Sequence, residues 1–208
     1  MMFTLTFGPA STMKQALYQK HSEYLRELRP HMSAMGFLLV SGVVAGFLLA
    51  AHLPFSGSGI VQSLGGTARV LLGLPKIFLA LGIFLNNSVK TLLVIVLGIL
   101  CGVVPIIFVV ANGFAIGFLL HLSTQSTGLY GSLIAIVPHG VFELPGVILG
   151  ASIGLMLGTR TISRLLGRSE FKLVPQVKQG LRFFWAVIVP LLLLGAFVEA
   201  FVTSALVQ

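Results

Sequence analysis

Long apolar runs dominate this chain, and polar positions gather in short clusters between them. The first run covers roughly 34–53 and ends at a Gly/Ser-rich break, PFSGSG, at 54–59. Residues 64–87 are apolar but interrupted by Arg69, Pro75 and Lys76. The run at 91–122 contains Gly98, Gly102, Pro105, Asn112, Gly113 and Gly117, and exceeds the ~20 residues that one helix needs to span a bilayer. It is therefore tilted, broken or a tight hairpin. An uncharged stretch, STQSTG at 123–128, leads into a central segment at 129–158, and a basic loop at 159–182 follows. The last apolar run is 183–204, with Pro190 and Glu199 inside it. Ahead of the first run, residues 11–30 place Leu17, Tyr24, Leu25 and Leu28 among Lys14, Lys20, Arg26 and Arg29. That pattern predicts an amphipathic helix with a basic face, capped at Ser11 or Thr12 and ended by Pro30. A merely solvated charged arm fits the same pattern. With so long a charged lead, the first run reads as an uncleaved span rather than a signal peptide.

The expected fold class is therefore all-α: one polytopic membrane bundle of about five transmembrane helices, with broken or re-entrant segments and an N-terminal amphipathic helix. By the positive-inside rule the N-terminal arm and the 159–182 loop are cytoplasmic, and the C-terminus is extracytoplasmic. That loop holds Arg160, Arg164, Arg168, Lys172, Lys178 and Arg182 against one acid, Glu170. Two arrangements of the middle satisfy this orientation. In one, 68–86 spans, Lys90 lies inside and 91–122 returns. In the other, 60–87 is interfacial or re-entrant outside, and 91–122 is a hairpin turning at Asn112-Gly113.

Composition agrees with a membrane protein: of 208 residues, 56% are apolar and 9% charged, where soluble domains carry roughly a quarter. The formal charge of +8 reflects juxtamembrane anchors rather than a nucleic-acid surface, since no basic–aromatic interleaving marks a soluble face. The expected partners are the bilayer and, beyond it, further copies of the chain or other membrane proteins. The single cysteine, Cys101, rules out an intrachain disulfide framework.

Chemistry concentrates in PHGVFELP, residues 138–145. A carboxylate at the bilayer centre costs about 2.5–3.5 kcal/mol on insertion scales, so Glu143 must be protonated, paired or wetted. Pro138 removes a backbone donor and predicts a helix break; Pro145 disturbs the next turn. A helix restarting at His139 puts His139 and Glu143 four apart on one face. They form a candidate polar intramembrane site, with Asn112, His121 and Glu199 as candidates to close it. A buried His–Glu hydrogen bond that only fixes packing explains the same residues.

Beyond Pro145, Gly146, Gly150, Gly154 and Gly158 recur every four residues and predict a smooth helix-packing face. The match Gly150-Ala151-Ser152-Ile153-Gly154 to a nucleophile elbow falls inside that row and reads as coincidence. HExxH, paired cysteines, phosphate-binding glycine loops and aspartate are all absent. No catalytic residue, metal ligand or cofactor is expected.

Three elements carry a family likeness: Phe84-Leu85-Asn86-Asn87, Asn112-Gly113-Phe114-Ala115-Ile116-Gly117, and PHGVFELP with its glycine row. Together they resemble the stage II sporulation protein M family over nearly the whole chain. The resemblance implies an all-helical multipass membrane protein without established chemistry. In spore-formers the namesake works in forespore engulfment, recruiting peptidoglycan-degrading partners at the membrane. The expectation is a non-enzymatic scaffold or assembly component of the cell membrane; the alternative is a transporter or channel subunit with a midplane His/Glu site.

Overall fold

A computed structural model describes residues 9–52, 73–168, 170 and 172–203, and side chains throughout these except 9–21, 126, 135–139 and 203. Among the described residues the chain is helical without strands. That is what a bilayer demands of an open chain, since backbone groups in hydrocarbon must be bonded within their own segment. Among the described residues, five helices are long and apolar enough to cross a membrane: Ser22–His52, Lys76–Leu97, Val103–Gln125, Gly140–Leu165 and Leu173–Val202.

Helix α1 is Pro9–His52, and it continues through Pro30 instead of ending there. Ser11 and Thr12 lie inside its first turns rather than capping it. A proline removes one backbone bond, but the helix is clamped on both sides of it: Tyr24, Leu28 and Met35 are all buried against neighbouring helices. Leu25, expected on the same stripe, is half-exposed.

Helix α2 is Lys76–Leu97. A span followed by a returning span is the first expected arrangement, with shifted bounds, since α2 runs through Lys90 and divides the 91–122 run near its start; the hairpin at Asn112-Gly113 does not form. The reversal occupies Gly98–Gly102, where Cys101 (φ 55°) and Gly102 (φ 75°) adopt left-handed backbone. Gly102 suits that conformation; Cys101 is held in it by the Gly102 N–H to Gly98 carbonyl bond of 2.8 Å. Asn112-Gly113 lies inside the next helix. Residues 60–72, part of the re-entrant alternative, lie outside the described residues.

The helical stretch Val103–Leu165 bends at Gly128 (φ 72°, ψ 171°), dividing it into α3 (103–127) and α4 (129–165). Such dihedrals are open almost only to glycine. Within the polar 123–128 segment, residues 123–127 form the last turn of α3 and Gly128 the corner, which the hydroxyls tie. Ser132 on α4 donates to the Gly128 carbonyl at 2.8 Å, and its Oγ lies 2.9 Å from that of Ser123.

Helix α5 (173–203) contains two π turns, Phe184–Ile188 and Glu199–Thr203. The first precedes Pro190, whose missing N–H would leave a carbonyl unpaired in a regular helix. There the Val189 N–H reaches back five residues to Phe184.

Helix α4 is the hub. In its most apolar window 61% of residues are buried, against 22–28% in the other four spans. Helices α2 and α4 run parallel, with Asn87 against Glu143, Thr91 against Gly150, Gly98 against Gly154 and Gly102 against Gly158. Helix α5 runs antiparallel to α4, with Gly195 against Glu143 and Gly180 against Ile153. Helix α1 packs along α3, where two small-residue pairs interlock. A Cβ on Gly46 would stand 2.1 Å from the Phe114 carbonyl oxygen, and one on Gly117 would stand 1.9 Å from that of Val43. Neither position has room for any side chain.

Candidate polar site within the bundle

Glu143 sits on the face of α4 between α2 and α5, and only 3% of it is exposed. The Nδ2 of Asn87, from α2, donates to its Oε2 at 2.5 Å. A carboxyl oxygen accepts that bond whether the group is ionised or protonated, so the pairing is compatible with either state. On the α5 side, a Cβ on Gly195 would lie 2.6 Å from Glu143 Cγ. Glycine there lets α5 close over the stem of the acid. Asn87 is oriented in turn by Asn86, whose Nδ2 donates to Asn87 Oδ1 at 3.3 Å. Asn86, Asn87 and Glu143 thus form a chain of polar groups from the outer face of α2 to the interior. One turn further along α2, Ser88 Oγ and Thr91 Oγ1 are buried without a hydrogen-bond partner.

The other candidate residues are distributed differently. Glu199 begins the second π turn of α5, half-buried, four residues beyond Gly195 and on the same helix face. Asn112 donates to the Phe108 carbonyl on its own helix at 2.7 Å. His121 packs edge-on to Phe47, ring centres 5.0 Å apart, and its Nε2 pairs with Gln125 at 3.0 Å. Both bond elsewhere than Glu143, His121 at the α1–α3 seam and Asn112 within its own helix. The side chains of Pro138 and His139 lie outside the described residues. Their backbone is helical, as is that of Pro145, so the expected break is displaced to Gly128. Pro145 is exposed on α4, and the helix continues through it. Ser152, within the elbow-like match, is buried and donates to the Ile148 carbonyl at 2.6 Å. Among the described residues, no group of three or more His, Cys, Asp or Glu converges.

Asn87 is the site residue that sequence reasoning passed over as a partner. Its signal was present: an amide in the middle of an apolar span needs a polar partner as surely as a carboxylate does.

A second polar cluster lies at the end of the bundle that holds the Gly98–Gly102 reversal. Arg160 Nη2 on α4 donates to Glu27 Oε2 on α1 at 3.0 Å, and its Nη1 donates to Gln176 Oε1 on α5. His31 and Thr159 meet at 3.3 Å, and the Tyr24 ring lies 5.2 Å from that of Phe183. Arg160, read from sequence as a topological anchor, also ties three helices together.

The sequence matches stage II sporulation protein M over residues 35–204. The chain belongs to the stage II sporulation protein M family. It is also 27% identical over 135 residues to an uncharacterised protein of Methanocaldococcus jannaschii, covering 62% of this chain and 74% of that one. No solved structure matches it. Family and architecture together make it a multipass helical membrane protein.

Proposed function

We propose that this chain is a non-enzymatic scaffold or assembly component of the cell membrane. The observation that supports this is the state of Glu143. The carboxyl is 3% exposed, bonded by Asn87 and covered at its stem by α5. An ion-transport site needs a hydrated path, whereas a scaffold needs a buried polar pair that fixes which helices meet. The family contributes its architecture to this reading; a role in sporulation is not carried over.

The test is reconstitution of the full chain and of Glu143→Gln in liposomes, with proton and cation flux measured under an imposed gradient. No flux from either protein is expected. Flux through the parent that Glu143→Gln abolishes would replace the scaffold with a transporter. In the same reading the glycine row packs within the chain. A Cβ at Gly150 would stand 2.2 Å from Thr91 Cγ2, so Gly150→Leu should disrupt the fold or assembly, visible as loss of a monodisperse peak.

The proposed orientation keeps the N-terminal arm and the basic loop cytoplasmic, with the C-terminus outside. It is supported by the Glu27–Arg160 pair, which puts both basic regions at one end. Cys101, exposed in the reversal at that same end, is a built-in reporter. An impermeant maleimide should label it in inverted vesicles and not in intact cells. Labelling of intact cells would invert the topology.

A further inference from the structure

Among the described residues, helix α2 carries a face that no other helix covers. Gly82, Asn86 and Lys90 recur every four residues along it. No atom lies within 4 Å of where a Cβ on Gly82 would be, and both Asn86 and Lys90 are exposed. Large apolar side chains flank them: Phe78 is 60% exposed and Val89 53%. The apolar flank suits lipid or another helix equally, but Asn86 and Lys90 do not suit lipid. Asn86 is the eleventh of the 22 residues of α2, at its midpoint. Lys90 lies seven residues before the helix ends at Leu97, about 10 Å along the axis. Among the described residues it has no hydrogen bond or ion pair. That is deeper than the helix-end lysines that snorkel to the interface, and the reversal beyond it, Gly-Ile-Leu-Cys-Gly, is apolar too.

Building on the scaffold reading, we propose that the Gly82–Asn86–Lys90 face of α2 docks a transmembrane helix of another membrane protein, one carrying a carboxylate at the depth of Lys90. Charge complementarity selects this occupant. A lysine at this depth is best compensated by an acid, and interhelical pairing is how membrane proteins accommodate such groups. A second copy of this chain does not provide it. Its acids within the five spans are Glu23 and Glu27 at the start of the first, where Glu27 is bridged to Arg160, Glu143, buried against α2 and α5, and Glu199, half-buried on α5. Gly82 lets the partner backbone approach closely, and Asn86 offers an amide at the midpoint of the contact. Because Asn86 also donates to Asn87, which holds Glu143, a helix bonded to Asn86 acts on the geometry of the buried acid.

The test uses the purified full chain, fluorescently labelled at Cys101, in phosphatidylcholine vesicles. The probes are synthetic leucine–alanine transmembrane helices with Glu, Gln or Leu eight residues from one end, and binding is read by energy transfer. The Glu helix should bind about tenfold tighter than the Leu helix, a typical strength for one interhelical polar contact. Lys90→Met should remove that preference, Lys90→Arg should keep it, and Asn86→Leu should weaken binding of all polar probes. Lys90 faces outward, so Lys90→Met should fold as the parent does, which circular dichroism of the same samples checks. Equal binding of the three helices, or a preference that survives Lys90→Met, overturns the proposal and leaves Lys90 as an anchor. Self-association that depends on Lys90 in the absence of any probe also overturns it, by assigning the face to a second copy. Absence of this preference in the parent protein, with no ion flux through it, sinks the docking proposal alone. Flux that depends on Glu143 sinks the scaffold reading instead.

Discussion

Glu27 and Glu143 each join helices that are distant in sequence, in opposite surroundings. Glu27 is bridged to Arg160 at the end of the bundle, with side chains 53% and 28% exposed. Water shares in that interaction, so the pair contributes little beyond the ~0–1 kcal/mol of an exposed bridge. Glu143 is bonded to a neutral amide between α2 and α4 and is only 3% exposed. The weaker donor there matters more, because an unmet polar group in hydrocarbon has no alternative. Burial of the group, rather than the formal charge of its partner, decides how much a contact contributes.

The largest effect that would break this comparison belongs to Gly195. Gly195→Leu drives a side chain into the Glu143 stem and should cost about 3 kcal/mol in detergent unfolding experiments. Wild-type stability would mean that α5 does not cover the acid. Asn87→Leu removes the donor and should cost about 2 kcal/mol by the same measurement. A change below ~0.5 kcal/mol would show that Glu143 is held by something other than Asn87. Glu143→Gln keeps a carbonyl acceptor for Asn87 and should stay within about 1 kcal/mol of the parent. A much larger loss would argue that the carboxylate is held ionised. Smallest of all, Glu27→Gln should cost about 0.5 kcal/mol, shrinking as salt is raised from 0.05 to 0.5 M. A salt-independent loss would mean the bridge is more buried than its exposure indicates.

Legibility followed the range of the forces involved. Membrane character and helical class were readable because hydropathy and backbone satisfaction act locally. The 91–122 run was recognisably too long for one helix, yet Asn112-Gly113 is a misleading turn signal. Gly113 is there to admit the Leu39 carbonyl of α1, 2.3 Å from where its Cβ would be. The real reversal uses Cys101-Gly102, apolar neighbours that carry no polar turn signature. Pro30 was read as a stop and Pro138 as a break, yet helical backbone runs through both; at Pro30 the packing of Tyr24, Leu28 and Met35 outweighs one lost bond. Glu143 was identifiable as a residue needing a partner. Asn87 could not be assigned to it, because 56 residues and a whole intervening helix separate them.

What the sequence alone determined, then, was the kind of protein and the residues that must be compensated. The solvent imposes those requirements on each segment independently. Only the tertiary structure decided which compensation is used: Asn87 for Glu143, Glu27 and Gln176 for Arg160, and glycine against backbone along α1–α3 and α2–α4. It also left Asn86 and Lys90 outside the bundle. Pairing between helices depends on their rotation and depth relative to one another, and no local pattern encodes either.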